Sequence, residues 1–90
     1  MLTRTLEITN LRGLHARASR KVAELALSYE GTRIVVRREG EEADARSLMD
    51  LMMLGAGQGA EIEVETAGPQ AEAAMAAIEE LIAAKFHEGE

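Results

Sequence analysis

The sequence predicts an α+β fold in which helices cover one side of an antiparallel β-sheet. Segments with strand-like alternation and segments with helical apolar spacing follow one another in the order β-α-β-β-α-β-α. Each strand has one apolar face and each long helix has one apolar stripe, so packing the stripes on the sheet buries both. A chain of 90 residues is expected to form a single domain, over residues 1–90, around one core.

The first strand and the first helix are predicted at residues 2–9 and 15–29. Residues 2–9 have the alternating pattern of a strand, and Arg4 interrupts its apolar face. If this strand lies at the edge of the sheet, the Arg4 side chain can reach water. Helical spacing begins after Gly13 and ends near Gly31, a residue type that often follows a helix. The apolar residues that define this helix are Ala18, Val22, Leu25, Ala26 and Tyr29.

A hairpin is expected next, with strands at residues 32–37 and 42–45 and a turn at Gly40. Ile34 and Val36 should face inward, and Val35 should face outward with its charged neighbours. The outward face of the sheet is expected to meet water, since it carries Thr3, Thr5, Arg33, Arg37, Glu61, Glu63 and Glu65.

A short helix over residues 47–54 follows the hairpin. Ser47 and Asp50 match a capping box, in which the hydroxyl at the N-cap and the acid three residues later satisfy the first helical N–H groups. The helix is apolar nearly all round: Leu48, Met49, Leu51, Met52, Met53 and Leu54. The glycine-rich residues 55–59 predict a mobile loop that lacks the pattern and placement of a nucleotide cradle.

The last strand is predicted at residues 60–66, and the last helix begins at Gly68 and Pro69, since proline suits the first helical turn. The apolar stripe of this helix consists of Ala71, Ala74, Met75, Ile78, Leu81 and Ile82. His87 and residues 88–90 are expected to be frayed and solvated.

Composition and charge narrow the class of protein. The net charge of −6 disfavours general nucleic-acid binding, because such binding neutralises phosphates. No cysteine is present for disulfides or thiolate metal sites, no segment has the pattern of a secretory signal, and no apolar run reaches the length of a membrane span. We therefore expect a cytoplasmic protein that binds neither nucleic acid nor a membrane.

Positive charge is concentrated around His15. No acidic residue lies between Glu7 and Glu24, whereas this stretch contains Arg12, Arg17, Arg20 and Lys21. Such a patch can attract a phosphate group or an acidic partner surface. The alternative is that Arg20 and Lys21 only decorate the outer face of the first helix.

His15 is predicted to lie at or beside the N-cap of the first helix, where unpaired N–H groups and the helix dipole favour an anion. Arg17 could add a forked contact to a phosphoryl group held on the imidazole. No paired carboxylates lie near His15 in sequence, and no Asp occurs within the first forty residues, which argues against a self-contained hydrolase triad. The alternative is that His15 is a tolerated cap residue on a solvated loop.

Four short motifs together resemble the HPr family, the histidine-containing phosphocarrier proteins of the bacterial phosphoenolpyruvate-dependent phosphotransferase system. They are Gly13-Leu14-His15-Ala16-Arg17, Ser47-Leu48-Met49, Leu54-Gly55-Ala56 and Gly59-Ala60-Glu61-Ile62. The resemblance implies an open-faced β-sandwich with strand order 1-4-2-3 and three helices on one face. With that order, Glu63 should pair with Arg33 or Arg37 on the exposed face.

The family resemblance also implies roles for individual residues. His15 would accept a phosphoryl group from phosphorylated enzyme I and pass it to a IIA-type acceptor, and Arg17 matches the active-site arginine. Ser47 matches a regulatory serine that a dedicated HPr Ser kinase/phosphorylase modifies in many members. The expected docking residues are Leu48, Met49, Met52, Arg12 and Arg20. Such a protein is a monomeric substrate of two enzymes rather than a catalyst, and it needs no metal or cofactor.

Two positions depart from the family pattern. Ala18 replaces a proline found in many members, which bears on subclass rather than on carrier chemistry. Asp50 replaces a small residue and places an acid one helical turn from Ser47, which counts against regulatory phosphorylation there. Residues 7–10 and 68–70 resemble the nitrogen-regulatory branch of the family, while the choice between nitrogen regulation and sugar transport stays open.

Two other classes of function remain open at this point. A binding or adaptor domain would use the methionine-rich helix as a docking surface, with His15 incidental. A purely regulatory protein would act through Ser47 without needing His15. A nucleic-acid-binding domain is disfavoured further by the lack of stacking aromatic residues on the strands.

Overall fold

Three helices pack on one face of a four-stranded antiparallel sheet, as predicted. The computed structural model describes residues 1–88. Its elements are β1 (Leu2–Glu7), α1 (Ala16–Leu27), β2 (Arg33–Arg38), β3 (Glu41–Asp44), α2 (Leu48–Met53), β4 (Glu61–Ala67), α3 (Ala71–Ala83) and a C-terminal 3₁₀ turn (Lys85–His87). The strand order is β1-β4-β2-β3, which confirms the open-faced sandwich and its order 1-4-2-3.

The central strand β4 sets the register of the sheet. It pairs Ile62 with Leu6 of β1 and Val64 with Val36 of β2, so the apolar side chains of three strands share the face that the helices cover. Arg4 lies on the same face but on an edge strand, and its Nε lies 3.7 Å from a carboxylate oxygen of Glu79 on α3. The interpretation of Arg4 as an edge residue is therefore confirmed.

The core between sheet and helices is almost entirely aliphatic. Most of each predicted helix stripe is buried, and Leu51 anchors α2. The exceptions are Leu25, Tyr29 and Ala71, which are half-buried. The fully buried side chains of the core include Ile8, Ile34, Val36, Leu51, Val64, Met75, Ile78 and Phe86.

The open face of the sheet corrects one expectation. Val35 and Glu65 were expected to meet water, but they are only 4% and 9% exposed. The cause is an ion-pair network: Arg37 donates to Glu42 and Glu65, each at 2.8 Å, and to Glu63 at 3.3 Å. Val35 lies opposite Glu65 in the register of β2 and β4 and on the same face as Arg37, so we attribute its burial to the apolar stems of these paired side chains. Side-chain hydrogen bonds with Glu65 and Glu42 raise the Arg37 pKa, and the predicted partner of Glu63 is confirmed.

Two helix ends differ from their predicted positions. Helix α1 ends at Leu27 rather than at residue 29, because the last turn tightens and the Tyr29 N–H bonds to Ala26 O, three residues back. Helix α3 begins at Ala71 rather than at residues 68–69. Gly68 has φ +127° and lies so close to the start of β2 that a Cβ there would be 2.7 Å from Gly31 O, which fixes this segment as a loop.

The loop at residues 55–59 is tied down rather than free. Ala56 is buried, its carbonyl accepts from the Leu14 N–H at 2.8 Å, and the Gly59 N–H donates to Ile8 O at 2.7 Å. These bonds count against the prediction of a mobile loop.

The C-terminal segment is the largest correction to the sequence prediction. Phe86 is fully buried in the 3₁₀ turn, and the Lys21 ammonium donates to its backbone carbonyl. The Glu88 side chain is only 6% exposed, so residue 88 is not a frayed tail, whereas His87 is exposed as predicted. Residues 89–90 lie outside the described residues.

Over residues 1–88, no helix has the length and apolar character that crossing a bilayer requires. The same residues contain no group of three His, Asp or Glu side chains arranged to hold a metal ion.

Candidate functional site

His15 is the N-cap residue of α1, as the sequence predicts. Its backbone is extended, with φ −75° and ψ −178°, and its carbonyl accepts the first helical hydrogen bond, from the Ser19 N–H at 2.9 Å. The imidazole Nδ1 accepts from the Arg17 backbone N–H at 3.3 Å. Nδ1 therefore faces the positive end of the helix dipole, and 24% of the side chain remains exposed.

Gly13 fixes the approach of the chain to His15. Its φ is +63°, and a Cβ at this position would lie 2.3 Å from the Ala56 carbonyl oxygen. The neighbouring hydrogen bond from Leu14 to Ala56 holds the two loops together at this contact. Because only glycine avoids both the strained backbone and the clash, this residue type is a structural requirement of the site.

The Glu88 side chain contacts the imidazole at its other nitrogen. Glu88 Oε2 contacts His15 Nε2, and Glu88 Oε1 accepts from Asn10 Nδ2 at 3.0 Å. Asn10 is fully buried, and its Nδ2 also donates to Gly13 O at 2.9 Å. These contacts join the β1–α1 loop to the C-terminal segment: Gly13 bonds to Asn10, Asn10 to Glu88, and Glu88 to His15.

Sequence analysis did not identify Asn10, Ser19 or Glu88 as site residues. Ser19 is buried in the first turns of α1 and donates to Leu14 O at 3.1 Å, which braces the same loop. A polar residue on the inner face of α1 was the available signal for Ser19. The His15–Glu88 contact spans 73 positions, and no local pattern indicates such a pair.

The predicted basic patch has three unpaired cations and one that is used structurally. Arg12, Arg17 and Arg20 are exposed, and their guanidinium groups form no ion pair with any residue in the described chain. Lys21 is half-buried and bonds to Phe86. The free charge near the N-terminus of α1 therefore comes from the arginines.

The second predicted surface lies on α2. Ser47 is its N-cap, and Ser47 Oγ accepts from the Asp50 N–H at 3.2 Å, which confirms one half of the predicted capping box. The other half is wrong, because the Ser47 N–H donates to Asp44 O at 2.9 Å instead of to the Asp50 carboxylate. Leu48 is only half-buried, while Leu51 and Leu54 are buried on the inner side. The methionines are exposed, by 65% for Met49, 39% for Met52 and 78% for Met53.

The three methionines at positions 49, 52 and 53 share one helix face, since their spacing is i, i+3 and i+4. We call this face the methionine patch. Met53 extends the surface predicted from Leu48, Met49 and Met52, and its spacing from Met49 was the available signal. The patch lies beside the His15 region, because α2 packs against α1 and Ala56, just after α2, bonds to Leu14.

Ser47 and the hydrogen bond that ties α2 to the His15 loop lie at opposite ends of this helix. Ser47 begins α2, whereas the bond to the His15 loop is made just beyond its end. A helix of six residues is about 9 Å long, so Ser47 is at the far end of the surface from that bond.

The chain is similar in sequence to known phosphocarrier proteins. The sequence model of the family described as "PTS HPr component phosphorylation site" matches residues 2–84. The chain is 46% identical over 90 residues to phosphocarrier protein HPr of Cupriavidus necator, covering 100% of both chains. It is 43% identical over 84 residues to phosphocarrier protein NPr of Escherichia coli, covering 93% of each.

Solved structures are similar over nearly the same length. The crystal structure of HPr from Thermoanaerobacter tengcongensis matches with a TM-score of 0.93 at 34% identity, covering 98% of each chain. That of HPr from Bacillus anthracis matches with a TM-score of 0.85 at 26% identity, covering 90% of this chain and 95% of the other. The chain belongs to the HPr family of phosphocarrier proteins of the phosphotransferase system, a family of carriers rather than catalysts.

Proposed function

We propose that this protein accepts a phosphoryl group on His15 from phosphorylated enzyme I and passes it to a IIA-type acceptor. One observation carries the proposal: the imidazole caps a helix and turns Nδ1 toward the N–H groups of the first turn. Two enzymes would use the protein as a substrate, and the protein itself would have no turnover.

The helix N-terminus suits the charge that transfer delivers. A phosphoryl group on Nδ1 carries negative oxygens, which the free N–H groups of the first turn and the helix dipole favour. Arg17 is exposed, and its guanidinium has no competing carboxylate among residues 1–88, so it is available to clasp these oxygens. Phosphoryl transfer needs this kind of positioning and charge stabilisation more than covalent machinery.

Reversibility follows from the choice of histidine. At neutral pH, an imidazole can act as a nucleophile when it accepts a phosphoryl group and as a leaving group when it donates that group. The side chain is 24% exposed, so part of the imidazole is open to a docked protein.

The methionine patch is the proposed docking surface for both donor and acceptor, with Leu48 at its edge. Methionine side chains are flexible and adapt to different partner surfaces. Arg12 and Arg20 are exposed and without ion pairs in the described part of the chain, so they would attract acidic partner surfaces.

Regulation through Ser47 is a second candidate function, supported by the position of its hydroxyl at the N-cap of α2. A phosphate there would suit the helix dipole but would add charge beside Asp50 and Met49 on the docking face. Modification by an HPr Ser kinase/phosphorylase would then inhibit transfer without unfolding the protein.

The test of the proposal is phosphorylation by enzyme I and phosphoenolpyruvate. Wild-type protein should gain an acid-labile phosphate, and His15→Ala should gain none while keeping its circular dichroism spectrum. His87→Ala is the matched control, because His87 is the other histidine of the chain and is exposed. Labelling of His15→Ala, or loss of label in His87→Ala, would contradict the assignment. An adaptor acting through Ser47 would bind its partner equally well with His15 replaced.

A further inference from the structure

We infer that Glu88 is a positioning residue for His15: its carboxylate holds the proton on Nε2, so Nδ1 stays unprotonated for transfer, with the Arg17 N–H hydrogen-bonded to it. This inference rests on the proposed phosphoacceptor role of His15. It assigns a purpose to the C-terminal segment, which the motif around His15 does not include.

The two contacts of the imidazole require the same proton arrangement. A neutral imidazole donates through one nitrogen and accepts through the other. An ionised carboxylate can only accept, so the contact of Glu88 with Nε2 places the proton there. The Arg17 N–H needs an acceptor, and Nδ1 supplies it. Both ends of the ring therefore favour the tautomer with an unprotonated Nδ1.

Glu88 is itself held from two directions. Its Oε1 accepts from Asn10, whose Nδ2 also bonds to the Gly13 carbonyl two residues before His15. The turn that precedes Glu88 is fixed by the buried Phe86 and by the bond from Lys21 to its carbonyl. The Glu88 carboxylate is held by Asn10, and the backbone before Glu88 is held by the buried Phe86. The fold therefore positions the contact between Glu88 and His15.

The transfer step shows what the carboxylate contributes. The Nδ1 lone pair forms the P–N bond, and the bond between phosphorus and the donor breaks, with its electron pair leaving on the donor. The proton stays on Nε2, so the ring becomes positive as the bond forms. The Glu88 carboxylate compensates that charge, and the step runs backward when the acceptor attacks phosphorus.

An opposite role for the same contact is obstruction, in which Glu88 blocks the imidazole until a partner displaces it. The two roles predict opposite signs. Loss of a positioning carboxylate slows phosphorylation, whereas loss of an obstruction speeds it.

The experiment compares phosphorylation rates of wild type, Glu88→Gln and Glu88→Ala under limiting enzyme I. Glu88→Gln keeps the shape but removes the charge, and Glu88→Ala removes the contact. Glu80→Gln is the control, since it makes the same change of net charge at an exposed position of α3. We expect both Glu88 variants to be slower by about 10-fold or more, as for other groups that orient a functional imidazole. Rates equal to wild type, or faster, would overturn the inference.

A spectroscopic arm separates this inference from the proposed function. A carboxylate-bound Nε2–H exchanges slowly, so wild type and Glu80→Gln should show its proton resonance by NMR, and Glu88→Ala should lack it. If enzyme I labels none of the proteins, the phosphocarrier proposal fails, but this resonance and its loss still support the role of Glu88. A wild-type imidazole without the resonance, or with its proton on Nδ1, would overturn it whatever the labelling shows.

Discussion

Replacing Phe86 by alanine is expected to lower the free energy of unfolding by about 3–5 kcal/mol, the usual cost of removing a buried aromatic ring. The ring is fully buried and lines a small apolar cavity with Leu14, Leu51 and Ile78, at the centre of the core. A domain of this size loses about 4–8 °C of melting temperature per kcal/mol. The melting temperature should therefore fall by at least about 12 °C.

Burial of the Phe86 ring stabilises a strained backbone turn at residues 85–87. Lys85, Phe86 and His87 all have positive φ, at 54°, 55° and 60°. Left-handed residues cost about 1–2 kcal/mol each, or about 3–6 kcal/mol for three. Burial of one aromatic side chain offsets a cost of that size, so without the ring the turn has nothing comparable to hold it.

The assay is thermal and urea denaturation followed by circular dichroism. Leu27→Ala is the control, because Leu27 is a large apolar residue that is 58% exposed, and its loss should change stability by about 0.5 kcal/mol or less. Phe86→Leu keeps most of the volume and should cost about 1.5 kcal/mol, which provides a readout if the alanine variant does not fold. A loss for Phe86→Ala as small as that for Leu27→Ala would refute the placement of this turn in the core.

Three further predictions follow from the site. Gly13→Ala should lower the free energy of unfolding by more than about 1 kcal/mol and abolish phosphorylation, since its Cβ would lie 2.3 Å from Ala56 O. The control is Gly40→Ala, where φ is positive but the space is open; this variant should lose only the energy of backbone strain and keep phosphorylation. Met49→Glu should slow transfer from enzyme I at an unchanged melting temperature, and a normal rate or a collapse in stability would place the docking surface elsewhere. Ser47→Ala should lose about 0.5–2 kcal/mol of stability with the loss of its cap while transfer proceeds normally, which denaturation and labelling of the same sample would check.

Much of the fold follows from periodicity. Most of the stripe of α3 and the inward residues of β2 and β4 are buried as predicted, because spacing within one element determines which side chains share a face. The N-caps at His15 and Ser47 are likewise local features, and the structure has both. Periodicity does not predict how deeply a residue on the polar face is buried, because that depends on whether neighbouring polar side chains fold over the residue. Val35 is buried for that reason, although it points away from the helices.

The C-terminal segment was mispredicted for a different reason. Helix α3 ends at Ala83, and the left-handed residues that follow break the phase of the apolar stripe. Phe86 then stands between Lys85 and His87 and has no apolar neighbour in sequence to mark it. The contacts of Glu88 with Asn10 and His15 join opposite ends of the chain, and their chemistry is set by tertiary structure alone.

The hydrogen bond between Leu14 and Ala56 has a consequence for fragments of this protein. A synthetic peptide over residues 10–29 would contain the whole histidine motif and the whole of α1. Yet an isolated helix of that length is marginal in water, and the Gly13 conformation would lose the neighbour that selects it. Such a peptide should be a poor competitor for enzyme I if the proposed function holds, because it lacks the loop that shapes the approach to His15.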